Sequence, residues 1–298
     1  MLQSAFKSAK PNKKQGEILV FLSFRTIFLF ILLISTSATL TFAQNVTVSK
    51  EKTEKTDKKE EKSDNKQQNV DLSKMTAEQV AESAIIIYGG LLGRQNLNQI
   101  RKTTLERGKI YITDASGKTE TAIYERWISR GENLNKEKIR LDQTFPDAKY
   151  SLVYTGEKIF GLYNEQVFTP REDASSAFQN QIWRGLEGLL RYKENESRIE
   201  LAGREKIMGV DFFMVDVTDK QNRKTRFYVS SKTFRVMMLE YDQAGVKYKR
   251  KFYDYNYAQG TLVPYRSVLW AGDKQIEEVE IGTITFGQKI EDAMFAEG

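Results

Sequence analysis

Val210-Asp-Phe-Phe-Met-Val-Asp-Val-Thr218, a turn at Asp219-Lys-Gln-Asn222, and then Arg223-Lys-Thr-Arg-Phe-Tyr-Val-Ser230 form the stretch on which the fold turns. In the first segment Phe213, Val215 and Val217 share one face and Asp216 stands on the other; in the second, Phe227 and Val229 oppose Arg226 and Tyr228. Side chains alternate across a strand with a period of two, so each segment has one apolar and one wet side. Joined by a short polar turn, the two read as an antiparallel hairpin with a single buried face.

The same pattern continues in both directions. Strands are expected over 197–208, 234–242, 246–258, 262–271 and 274–286, divided by Ala244-Gly245, Gly260 and Gly272-Asp273 at the spacing of a barrel or sandwich. Upstream, Thr169 can cap, Pro170 suits the first helical position and Glu172 can close a capping box, while Phe178, Ile182, Leu186, Leu189 and Leu190 fall on one stripe. This predicts an amphipathic helix over 170–192. Before it lie strand candidates 98–114, 118–129, 136–143, 149–155 and 158–164, in which Ile139 and Leu141 oppose Lys138 and Arg140. Order begins at Thr76-Ala-Glu-Gln79, a capping-box pattern followed by Val80, Ala84, Ile87, Tyr88 and Leu91 at helical spacing, with Gly89, Gly90 and Gly93 weakening its end. The reading is an α+β chain, mainly β with two or three helices. We expect a strongly curved antiparallel sheet of about 11–12 strands, as in a barrel or sandwich, with helices covering its concave face, built as one domain over 76–298.

Ahead of that domain the composition changes twice. Residues 44–75 are rich in Lys, Glu, Asp, Ser, Thr, Gln and Asn, with Val46, Val48, Val70, Leu72 and Met75 as the large apolar residues, and read as a disordered mixed-charge spacer. Residues 1–43 carry Lys7, Lys10, Lys13, Lys14 and Arg25, then the apolar run Thr26-Ile-Phe-Leu-Phe-Ile-Leu-Leu-Ile34, and end at Thr41-Phe42-Ala43. That is the layout of a signal peptide cleaved after Ala43, which implies an exported protein. The alternative is a retained N-terminal anchor, against which Arg25 in mid-span costs about 2.5–3.5 kcal/mol.

Charge and residue types then narrow the function. Of 46 Lys/Arg and 40 acids, five bases and one acid lie before residue 44, so the rest carries 41 bases against 39 acids and lacks a nucleic-acid footprint. The chain holds no histidine and no cysteine, which removes Ser/His/Asp and Cys/His catalysis, the usual zinc sites, a lipobox and disulfides; no metal and no cofactor is expected. Glu125, Asp142, Asp216, Glu240 and Asp254 leave a carboxylate hydrolase as a minor alternative to a non-enzymatic protein. Two helices are too few to cover about a dozen curved strands, so an apolar hollow is expected, and such hollows bind ligands. The residues assigned to its wall are Ile139, Leu141, Phe160, Phe213, Val215, Phe227 and Val229, with Phe178, Ile182, Trp183 and Leu186 as lid or plug.

The order of elements resembles the periplasmic lipoprotein-sorting proteins, the lipoprotein carrier and receptor superfamily with an open β half-barrel lidded by helices. The resemblance rests on Tyr88-Gly89-Gly90 leading into Leu97, Ile100 and Gly108, and on Thr155-Gly156-Glu157-Lys158-Ile-Phe160 with Tyr163-Asn164. It is carried further by Gly203-Arg204-Glu205 with Gly209, Phe213-Met-Val-Asp216, Tyr253-Asp254-Tyr255 with Gly260, Leu262-Val-Pro264-Tyr265, and Ile290-Glu-Asp292 with Phe295. It implies a cavity that shields the acyl chains of lipoproteins or other lipids during sorting, with inner- or outer-membrane sorting proteins as partners and a monomeric state. For the carrier's functional arginine Arg94, Arg101, Arg107, Arg126 and Arg140 compete. The same fold also serves envelope regulators that sense lipid or bind a partner protein, which is the alternative function.

Overall fold

The computed structural model describes residues 72–156 and 158–297. The expected signal, 1–43, and residues 44–71 of the expected spacer lie outside the described residues, whose first feature is a 3-10 turn, Leu72–Lys74.

Helix α1, Ala77–Gly89, starts as its sequence dictates: the Gln79 amide donates to Thr76 Oγ1 and the Thr76 amide donates to Gln79 Oε1, a complete capping box. A second helix, α2 (Gly93–Ile100), stands where the first strand was expected to begin. The chain passes from α1 into it through Gly90 and Gly93, both at positive φ, a conformation that costs glycine nothing. The strands that follow are β1 (Thr103–Thr113), β2 (Thr119–Ser129), β3 (Lys138–Thr144), β4 (Lys149–Tyr154), β5 (Ile159–Tyr163) and the three-residue β6 (Gln166–Phe168). Next come α3 (Glu172–Trp183) and α4 (Leu186–Leu190). The second strand set is β7 (Arg198–Ile207), β8 (Val210–Thr218), β9 (Lys224–Ser230), β10 (Val236–Gln243), β11 (Val246–Ala258), β12 (Thr261–Ala271) and β13 (Lys274–Phe286).

The predicted helix over 170–192 is two helices, and its cap is not Thr169. The residue preceding α3 is Arg171, which gives no side-chain cap. The break falls at Arg184-Gly185: the Arg184 amide donates to Asn180 O and ends α3, and Gly185 is extended, with ψ −176°. The Arg184 guanidinium then donates to Lys224 O at 2.8 Å, tying this corner to β9.

All strands among the described residues belong to one open antiparallel sheet in the order β6-β5-β4-β3-β2-β1-β13-β12-β11-β10-β9-β8-β7. Thirteen strands thus form the half-barrel, one more than expected. Two consecutive-strand ribbons, β1–β6 and β7–β13, are joined by the β1–β13 pairing, with Thr104 opposite Phe286 and Ile112 opposite Glu277. A bulge between Arg107 and Gly108 bends that seam; a Cβ on Gly108 would sit 2.0 Å from Glu280 O, so the seam requires glycine there.

The helix-bearing face holds two separate cores. Under α1, Val80, Ala84, Ile85 and Tyr88 pack on Phe213, Val215, Phe227, Val229 and Leu239 from β8–β10. Under α3, Phe178, Ile182 and Trp183 pack on Tyr124, Ile139, Leu141, Leu152 and Tyr154 from β2–β4. Each fully buried large side chain contributes about 1.5–3 kcal/mol, so both helices are held on chiefly by area removed from water.

Candidate functional site

Between the two cores, where β1, β13 and β12 run up the middle of the sheet, neither α1 nor α3 covers the strands completely. A cavity of about 220 Å³ remains there. Ile139, Phe178, Ile182, Leu186, Phe252, Val279 and Phe286 supply apolar wall. Beyond it, a wider cleft of about 980 Å³ runs between the first turns of α3 and the β10–β13 strands. Gln181, Arg250 and Glu277 line both spaces and so divide them.

That divide is a hydrogen-bonded bridge from α3 to the sheet. Arg126 Nη2 donates to Gln181 Oε1 at 3.1 Å, and Gln181 Nε2 donates to Glu277 Oε2 at 3.0 Å. Each charged end has a counter-ion of its own: Arg126 pairs with Glu106 at 3.2 Å and Arg250 with Glu277 at 2.8 Å. Tyr124 donates to Glu106 Oε1 at 2.7 Å; burial, with the Glu106 charge adding to it, raises the phenol's pKa and keeps it a donor.

At the other end of the cavity, α2, α4 and the β2–β3 connection assemble a second ionic cluster. Glu187 on α4 takes Arg101 Nη1 at 3.1 Å and Arg130 Nη2 at 3.0 Å. Behind it Glu137 and Arg191 pair at 2.7 Å, with side chains 2% and 3% exposed. Burial pushes the Glu187 carboxyl up, but Arg130 and Arg101 outweigh it and hold it down at about 2. For Glu137 burial wins over Arg130 and Arg191, and its carboxyl is pushed up to about 7. Arg101 is saturated, donating also to Thr261 Oγ1 and Leu262 O. Arg130 is not: its Nε and Nη1 are buried without a hydrogen-bond partner among the described residues.

The structure distributes the assigned site residues over four environments. Ile139, Phe178, Ile182 and Leu186 do line the cavity. Leu141 and Trp183 belong to the same α3 core but lie off the cavity wall, with the Arg223 guanidinium 4.3 Å from the Trp183 ring centre. Phe213, Val215, Phe227 and Val229 are each 0% exposed beneath α1 and are packed core. Phe160 is on the opposite face: it pairs with Val153, and the C-terminal turn Asp292–Phe295 covers both through Phe295. The apolar tail Ile290, Met294 and Phe295 was the signal that this outer face also needs a cover. Of the competing arginines, Arg101 and Arg126 line the cavity, and Arg94, Arg107 and Arg140 do not. The other charged and amide side chains of the wall were missed by sequence, because their side-chain partners are 17 to 96 positions away.

The five candidate carboxylates are each held by cations away from the cavity. Glu125 pairs with Arg107, Asp142 with Arg140, Asp216 with Arg226 and Lys224, Glu240 with Lys249, and Asp254 with Arg266.

No protein-family model matches the chain, and no curated protein matches it. Solved structures do match it in fold. A DUF1329 family protein from Desulfovibrio piger is 15% identical with a TM-score of 0.54, over 74% of this chain and 97% of that one. A LolA superfamily protein from Nitrosomonas europaea is 12% identical with a TM-score of 0.53, over 74% of this chain and 98% of that one. The open half-barrel that the family resemblance implied is therefore found in solved proteins over nearly their whole length, and this chain shares its fold with these two structures.

Proposed function

We propose that this protein is a non-enzymatic, periplasmic binding protein that shields an acyl chain of a lipid or lipoprotein in the cavity beneath α3, with α3 as its lid. The observation that carries the reading is the uncovered middle of the sheet: an apolar-walled cavity between two packed cores, separated from a cleft by one side-chain bridge. Ligand pockets typically span about 300–1,000 Å³. The inner space of about 220 Å³ falls below that range and the cleft of about 980 Å³ lies within it, so a long chain fills both only when the Gln181 bridge parts. Keeping a 16-carbon chain from water is worth roughly 12 kcal/mol, ample to separate one neutral amide from its partners. Supporting the assignment are the fold, the signal-like N-terminal sequence, and candidate carboxylates that are neutralised outside the cavity. The sorting partners suggested by the family resemblance belong to this proposal as well.

Native mass spectrometry of the purified chain, followed by lipid extraction, tests it. Co-purified or added acyl lipid should appear at one per chain, and its uptake should block when Ile139→Trp fills the cavity. A chain that is empty, takes up no fatty acid or lipoprotein, and is indifferent to Ile139→Trp overturns it.

A further inference from the structure

A cavity meant only for hydrocarbon has no use for a cation with unused donors. Four arginines and four glutamates line this one, yet they do not cancel pairwise. Arg126 has Glu106 and Arg250 has Glu277. Glu137 is engaged from behind by Arg191, which is not part of the wall. Arg101 and Arg130 are left to share Glu187. With Arg101 further anchored on Leu262 O and Thr261, the wall arginine with donors to spare is Arg130. Its side chain is 7% exposed, it lines the cavity, and two of its three guanidinium nitrogens are buried with no hydrogen-bond partner among the described residues. A buried donor left unmade is costly, and a buried guanidinium more so, because the low local dielectric amplifies the missing interaction.

From this geometry we propose that the cavity selects a single-chain anionic amphiphile, its carboxylate or phosphate head held by Arg130 at the α4 end and its chain lying along Ile139, Ile182 and Val279. The inference rests on the acyl-binding reading above and names the ligand class for it. An anionic head would meet the donors that the protein leaves open on Arg130, whose nearest carboxylate, Glu187, is shared with Arg101. Charge-assisted bonds from a guanidinium to a carboxylate or phosphate are about twice as strong as neutral ones. The volume of about 220 Å³ admits one chain beside Ile139 and Ile182 rather than a bundle of acyl chains.

The test compares three ligands with the same ten-carbon chain, decanoate, decyl phosphate and decanol, titrated by calorimetry into the full chain at fixed salt. At least one anionic ligand should bind roughly tenfold or more tighter than decanol, a factor equal to about 1.4 kcal/mol. Preference for decyl phosphate or for decanoate identifies the head as phosphate or carboxylate. Arg130→Gln should abolish the preference, bringing the affinity for the anionic ligands to within about twofold of that for decanol in the same variant, and Arg130→Lys should restore part of it. A melting curve verifies that both variants fold; if Arg130→Gln does not, Arg130→Lys and the salt dependence of the wild-type preference decide. Equal affinity for all three ligands, or a preference that survives Arg130→Gln, overturns the headgroup assignment alone. Failure of all three to bind, with Ile139→Trp without effect, removes the acyl-binding reading beneath it.

Discussion

Replacing Gln181 by Leu removes the one neutral link in the bridge that fastens α3 across the cavity. Two hydrogen bonds are lost, one from Arg126 at 3.1 Å and one to Glu277 at 3.0 Å. Hydrogen bonds to charged groups are worth about 1.5–3 kcal/mol each, but neither ion is stranded here, since Glu106 still pairs with Arg126 and Arg250 with Glu277. The expected loss is therefore that of about one such bond, ~1.5–3 kcal/mol, and it falls on α3 rather than on the sheet. Because α3 keeps Phe178, Ile182 and Trp183 buried, it should stay docked in most molecules while opening more often. At 1.4 kcal/mol per decade the opening equilibrium rises roughly 10- to 150-fold. Amide hydrogen exchange, read separately over α3 and α1, measures it: exchange in Glu172–Trp183 should accelerate by at least about tenfold, and Ala77–Gly89 should not change. Equal acceleration of both helices would mean that Gln181 stabilises the whole fold and is no latch. No acceleration in either would mean that the bridge bears no load.

Phe227→Ala, at a side chain 0% exposed beneath α1, should cost about 3–5 kcal/mol in urea unfolding while leaving ligand capacity unchanged, since the site lies off the main cavity. Gly108→Ala places a methyl group 2.0 Å from Glu280 O at the seam of the two ribbons; a loss of ~1–3 kcal/mol and faster exchange in β1 and β13 are expected in the same unfolding and exchange measurements. Glu137 titrates at about 7 when folded and near 4.5 in a model peptide, so the folded state binds the extra proton between those values. Its contribution is fully present below about 4.5 and lost as pH rises through 7, at most ~3 kcal/mol. Melting temperatures of the wild type should thus fall from pH 5 to pH 7 relative to Glu137→Gln, and parallel pH profiles would refute the assignment.

The parts of this molecule legible in sequence are those in which neighbouring residues carry the signal. Val210–Thr218 and Lys274–Phe286 are strands with the ends read from turns and alternation, although the face of Val210–Thr218 read as wet in fact buries Phe212 and Asp216, with Phe212 packed beside Tyr228 and Met238. Thr76 and Gln79 announce α1 through a contact three residues long. Helix α2 was missed because Gly89, Gly90 and Gly93 read as an end, and Gly93–Ile100 offers only Leu97 and Ile100 as apolar residues. The break at Gly185 was hidden by the stripe itself, since Phe178, Ile182, Leu186 and Leu189 continue at helical spacing through a corner. Alternation also distinguishes two faces without saying which element covers each, which is why Phe160 was assigned to the wrong side and four α1-packed residues to the cavity wall. The ionic cluster had no local signal at all: residues 101, 130, 137, 187 and 191 meet only when α2, α4 and the β2–β3 connection converge.

Convergence of that kind explains why the hollow lies where it does. A curved sheet of thirteen strands offers more apolar face than two helices can cover, and α1 and α3 each settle over the strands of one ribbon. The seam between ribbons, β1 and β13 with β12, is left to the corner formed by α3 and α4. A straight helix through 170–192 would carry its apolar stripe on without a turn. The extended Gly185 instead redirects the chain, so that α3 ends at Trp183 while α4 sends Leu189 and Leu190 into the α1 core. Glu187, on the same short helix, is thereby placed where it must neutralise Arg101 and Arg130 across the gap. Filling the seam with hydrocarbon side chains would stabilise the sheet more than a buried ion cluster does, since desolvating charges offsets most of their attraction. The sequence has kept charges there, with two Arg130 nitrogens, Arg191 Nε and Glu187 Oε2 short of hydrogen-bond partners among the described residues, and that combination favours a guest over a finished core.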